Sequence, residues 1–88
     1  MPKRTLEELT TIIVDNLGID TKKVLPESTA RDLGADSLDE IEILMGIEET
    51  FHVEITDAEA EAASTVGDYV KLIDLKLDEK DADRELHS

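Results

Sequence analysis

Cysteine is absent, which removes a disulfide framework, a thiolate metal site and cysteine catalysis together. Basic residues are scarce: 9 Lys and Arg stand against 23 Asp and Glu, for a formal charge of -14. Nucleic acid and anionic lipid surfaces both select basic patches, so neither is an expected partner; a protein with a basic surface is. Long apolar runs are also missing. No segment approaches a membrane span, and the opening "MPKRTLEELT" has no apolar signal core, so a soluble, cytoplasmic monomer is expected. No D-x-D-x-D-G loop occurs, and no metal site is expected.

What remains is one small domain. At 88 residues with 40% hydrophobic content, the chain can build one modest core. Thr5-Leu6-Glu7-Glu8 fits a capping box, in which a hydroxyl and a carboxylate satisfy each other's exposed amides. Leu6, Leu9, Ile13 and Leu17 follow at helical spacing, and Gly18 suits a left-handed helix end. Residues 19–36 lack a sustained period. Pro26 and Gly34 punctuate them, with Val24, Leu25 and Leu33 as candidate anchors, so a long loop with a short helical turn is expected. Ser37-Leu38-Asp39-Glu40 reads as a second box opening a helix to about Phe51, and Thr56-Asp57-Ala58-Glu59 as a third opening a short helix. Ser64 or Thr65 caps the last helix, whose Val66, Tyr69, Val70, Ile73 and Leu77 keep one face apolar. The fold expected is all-α: a small four-helix bundle spanning 1–77, with three longer helices, a short third one and a long loop between the first two. Residues 78–88, "DEKDADRELHS", read as a charged, disordered tail. They hold -3 of the charge, so -11 lies on the body. "HVEI" alternates, but a lone four-residue strand has nothing to pair with.

Ser37, at the start of the second helix, raises the question of chemistry. A serine nucleophile needs a base within reach, itself oriented by a third group. His87 is in the expected tail, and His52 is fifteen residues on, about 22 Å along a helix axis. No G-x-S-x-G elbow surrounds the serine. Self-contained catalysis is therefore not expected. The plainer reading is that Ser37 only caps the helix.

Helix two carries more than a cap requires. On a wheel of about 100° per residue, Ile43, Leu44, Ile47 and Phe51 form one stripe, wide enough to face a core. Leu38, Ile41 and Met45 form a second stripe on another side, bordered by Glu42, Glu48 and Glu49, with Ser37 at its edge. A small bundle needs only one buried stripe per helix. A second, rimmed by carboxylates, points to docking, because those acids would be costly in an interior. Gly46 costs about 0.5–1 kcal/mol relative to alanine inside a helix, a cost consistent with close approach of a neighbouring helix or of a partner.

Together these residues resemble the acyl carrier protein family. "LGADSLDEIEILMGIEETF", Leu33 to Phe51, is similar to the family's run around its D-S-L triplet, "EITDAEAEAASTV" to its third helix and the start of its fourth, and the likeness covers roughly Leu6 to Ile73. The resemblance implies that Ser37 is the attachment site of 4′-phosphopantetheine, transferred from coenzyme A by a separate phosphopantetheinyl transferase. The chain would then be a non-catalytic carrier of acyl thioesters for the enzymes of a dissociated fatty acid synthase and for acyltransferases. It also implies that Asp36, Leu38, Glu42, Met45 and Glu48 contact partners, to which the wheel adds Ile41 and Glu49, and that acyl chains fold back between the helices. Departures from the family pattern are Gly46, Ala63, Tyr69 and Thr56. They leave open a carrier for polyketide, lipid A or aminoacyl transfer. A third reading, of a different class, is an acidic helical adaptor with no prosthetic group.

Overall fold

The computed structural model describes the backbone of residues 4–87 and the side chains of residues 4–80. Its elements are α1 (Thr5–Leu17), a single 3-10 turn (Thr21–Lys23), α2 (Ser37–Phe51), α3 (Asp57–Ala62) and α4 (Val66–His87). No strand occurs among the described residues; one isolated antiparallel bridge joins Thr29 to Thr65. The expected all-α bundle with a long first loop is what the chain forms.

Its core joins Leu9 and Ile13 of α1, Ile47 and Phe51 of α2, and Val66 and Ile73 of α4. Val24 from the long loop and Val53 and Ile55 from "HVEI" complete it. "HVEI" thus alternates because Val53 and Ile55 enter the core while His52 and Glu54 face out, without strand pairing. Leu25, read as an anchor, is 48% exposed, whereas Val24 beside it is 8% exposed.

α1 and α2 pack closely at Gly46. A Cβ built there would lie 3.0 Å from Ile12 Cγ2, so a neighbouring helix within the fold accounts for the missing side chain. Gly67 does the same for the loop. Its amide donates to the Pro26 carbonyl at 2.8 Å, and a Cβ there would stand 3.1 Å from that same oxygen. With the Val66 amide on the Ser28 carbonyl at 2.9 Å, this ties the loop to the first turn of α4.

The expected caps divide. Thr56 and Glu59 form their box at α3. At α4 the choice between Ser64 and Thr65 falls to Thr65: its Oγ1 accepts the Asp68 amide, while Asp68 Oδ2 accepts the Ser64 and Thr65 amides. At α1 there is no box. Thr5 is the first helical residue, Arg4 occupies the cap position without a side-chain bond, and the buried Thr5 hydroxyl donates instead to the Asp74 carboxylate on α4. A tertiary partner has displaced the local one.

The last helix is longer than its apolar face. The backbone of α4 runs to His87, past residue 78, where a charged tail was expected to begin. Residues 78–87 contain no glycine or proline, and Ala, Glu, Lys, Arg and Leu among them propagate a helix without needing a core. Lys80 adds a tertiary tie, donating through Nζ to the His52 carbonyl at 3.1 Å, where α2 ends in a left-handed residue (φ 56°).

Candidate functional site

Ser37 stands in the first turn of α2, but not as its cap. The cap is Asp36, one residue earlier: its Oδ1 accepts the Asp39 amide at 2.9 Å, and Asp39 Oδ2 accepts the Asp36 amide at 3.1 Å. Two overlapping patterns, D-x-x-D and S-x-x-E, competed for this helix start, and the carboxylates won it. The consequence is chemical. The expected Ser37–Glu40 box does not form, and among the described residues the exposed Ser37 hydroxyl has no hydrogen-bond partner. It is open to solvent.

The second apolar stripe of α2 lies at the surface beside it. Leu38, Ile41 and Met45 are 62%, 55% and 54% exposed, while Ile43, Leu44 and Ile47 turn inward. Glu42 and Glu49 are exposed at its margins. Glu48 differs from them: it is half-buried, and its Oε2 accepts the Ile55 amide at 3.1 Å, so it also fastens the segment after α2. The helix carries Asp39, Glu40, Glu42, Glu48 and Glu49 and no basic residue. The field around Ser37 is thus strongly negative, with the helix-dipole positive end its local exception.

Behind Ser37 is a cavity of about 350 Å³ among α1, α2, the long loop, α3 and the start of α4. Ala35 and Glu40, which flank Ser37 in the chain, line it; Leu9, Ile13 and Ile47 form apolar wall; Ala63 and Tyr69 also line it. The Tyr69 hydroxyl donates to the Ala60 carbonyl at 3.3 Å. Burial, and then the negative charge of Glu40, push its phenol above the ordinary range. The sequence reading found Ser37 and the apolar strip but missed Glu40 as a cavity residue. Its place on the wheel, at about 300° within the inward stripe of Ile43, Leu44, Ile47 and Phe51, was the available signal.

Away from this face, the Lys76 ammonium on Glu59 at 2.7 Å ties α4 to α3. That contact holds the Glu59 carboxyl below its usual range and the Lys76 ammonium above its own. Among the described residues no group of His, Asp and Glu is arranged to hold a metal ion, and no helix is long and apolar enough to cross a membrane.

An unpartnered serine hydroxyl at a helix start, an acid-rimmed apolar strip and a cavity thus occur together around α2. The sequence profile described as the phosphopantetheine attachment site matches residues 7–73, from the first turn of α1 to the last core residue of α4, and the chain belongs to that family. Its domains bear a 4′-phosphopantetheine prosthetic group, work with a phosphopantetheinyl transferase and with partner enzymes, and are carriers. That stands against the adaptor reading, in which the chain holds no prosthetic group. The residues present fit the group. Ser37 is exposed and uncommitted, and the positive end of the α2 dipole suits a phosphodiester anion.

Proposed function

We propose that Ser37 is the attachment residue, and that the chain carries acyl groups for the separate enzymes of fatty acid synthesis in the cytoplasm. The observation that carries the proposal is the Asp36–Asp39 box, which leaves the Ser37 Oγ exposed and unbonded at the edge of the apolar strip. In the attachment step the Ser37 Oγ forms a bond to the phosphorus next to the pantetheine of coenzyme A. The pyrophosphate P–O bond breaks, adenosine 3′,5′-bisphosphate leaves, and the serine proton passes to a base on the transferase. No base within this chain is required.

The attached arm supplies a terminal thiol that holds cargo as a thioester, which a cysteine-free chain lacks. The protein's own residues present it. Asp36, Glu42 and Glu49 attract a basic surface near a partner's active-site mouth, with Glu48 adding charge; Leu38, Ile41 and Met45 bury against that partner's apolar patch. Transferase, synthase enzymes and acyltransferases would share this one face.

Intact mass of the protein purified from its native source tests the reading. One phosphopantetheine on Ser37, with straight-chain acyl groups of graded length, is expected. A hydroxy-acid, aminoacyl or polyketide cargo would transfer the chain to another pathway, and an unmodified chain throughout would refute the carrier assignment.

A further inference from the structure

The cavity has an asymmetric lining that the carrier reading does not by itself explain. Ala63, where α3 ends, contributes only a methyl group to it, whereas Tyr69, in the first turns of α4, contributes a full ring. The ring is half-buried, and its hydroxyl reaches across to the Ala60 carbonyl of α3. The same cavity is lined on the α2 side by Glu40, three residues after Ser37. The Tyr69 side chain thus spans from α4 to α3 at the edge of the same cavity that Leu9, Ile13 and Ile47 wall. At about 350 Å³ the space is near the small end of ligand pockets, which run from about 300 to 1,000 Å³.

We propose that Tyr69 is the specificity-determining residue of this carrier: its ring takes up part of the cavity and so limits the length of acyl chain that the cavity shelters. The inference rests on the carrier reading of Ser37. The ring, not the hydroxyl, sets the limit. The 3.3 Å bond to Ala60 is long for a hydroxyl donor and serves to hold the ring in place.

The test uses the full chain, loaded on Ser37 by a transferase from straight-chain acyl-coenzyme A of increasing length, with loading confirmed by intact mass. The rate at which hydroxylamine cleaves each thioester is then read. Protection should rise by up to about fourfold per added methylene, the equivalent of ~0.8 kcal/mol, and then stop rising at a limiting length. Tyr69→Ala should move that limit to longer chains. Tyr69→Phe, which keeps the ring, should leave it in place. A purely structural role would lower the melting temperature without moving the limit. If circular dichroism shows Tyr69→Ala unfolded, Tyr69→Leu makes the same test with a smaller loss of volume. A loaded protein whose limit ignores both truncations, or which protects no chain length, overturns this proposal and leaves the carrier reading intact. A protein that accepts no arm overturns both.

Discussion

The Asp36 carboxylate and the Asp39 amide meet at 2.9 Å, and the reciprocal bond closes at 3.1 Å. This pair starts α2 one residue before Ser37 and so separates two jobs that a serine often combines, ending a helix and offering a hydroxyl. Asp36→Ala should therefore cost about 0.5–2 kcal/mol of unfolding free energy. Ser37→Ala should cost less than about 0.5 kcal/mol, as expected for a surface change that removes no cap. Urea denaturation of the two variants checks this. A larger loss in Ser37→Ala would place the cap back on the serine.

The acids of α2 are not equivalent. Glu48 holds the amide of buried Ile55 at 3.1 Å, whereas Glu42 is exposed. Glu48→Ala should lower stability by about 1–2 kcal/mol and Glu42→Ala by almost nothing. In stopped-flow binding to a transferase, Glu42→Lys should slow association, most at low salt, and Met45→Ala should speed dissociation with little salt dependence. Glu7→Lys on α1 is the control. An equal effect from Glu7→Lys would mean that net charge alone governs association.

Gly46 should resist the usual improvement. Alanine in a helix interior gains up to about 1 kcal/mol over glycine, but here its methyl meets Ile12 Cγ2 at 3.0 Å, on a branched side chain with little freedom to yield. Gly46→Ala should be neutral or destabilising in the native chain and stabilising in an Ile12→Ala background, with a coupling of about 1 kcal/mol in the double-mutant cycle. Simple additivity would show that the two helices do not need the glycine.

How much of this was legible in sequence depended on whether the deciding partner was local. Hydrophobic spacing placed α1 and α2 and separated the inward stripe of α2 from the outward one, because period and burial are the same information. The Thr56 box was readable because both its partners lie within four residues. The Thr5 box failed because its hydroxyl is bonded to Asp74, 69 residues away. The Ser37 box failed by one residue because two capping patterns overlap there and spacing cannot rank them. Residues 78–87 carry helix formers without an apolar stripe, so a search for amphipathic period stopped at Leu77 while the backbone continued. The cavity, built from five segments, has no sequence signature beyond the small residue at Ala63 and the large one at Tyr69.

Acid should loosen the start of α4. Asp68 accepts the Ser64 and Thr65 amides, and these bonds hold its carboxyl below the ordinary 3.8. A carboxylate whose folded value is depressed contributes stability that is present above the unfolded value and lost as pH falls through the folded one. Melting temperature should therefore drop as pH is lowered below about 4, and Asp68→Asn, which keeps an acceptor but no titrating charge, should flatten that limb. An unchanged acid limb in Asp68→Asn would assign it to other carboxylates.

The most direct test of the central claim is the mass of the protein after incubation with coenzyme A and a phosphopantetheinyl transferase. The native sequence should gain one phosphopantetheine, about 340 Da by the atom balance of a step in which coenzyme A supplies the arm and loses adenosine bisphosphate, and a peptide map should place it on Ser37. Ser37→Ala, still folded, should gain nothing. An arm on the alanine variant, or on any other residue of the native chain, would contradict the account.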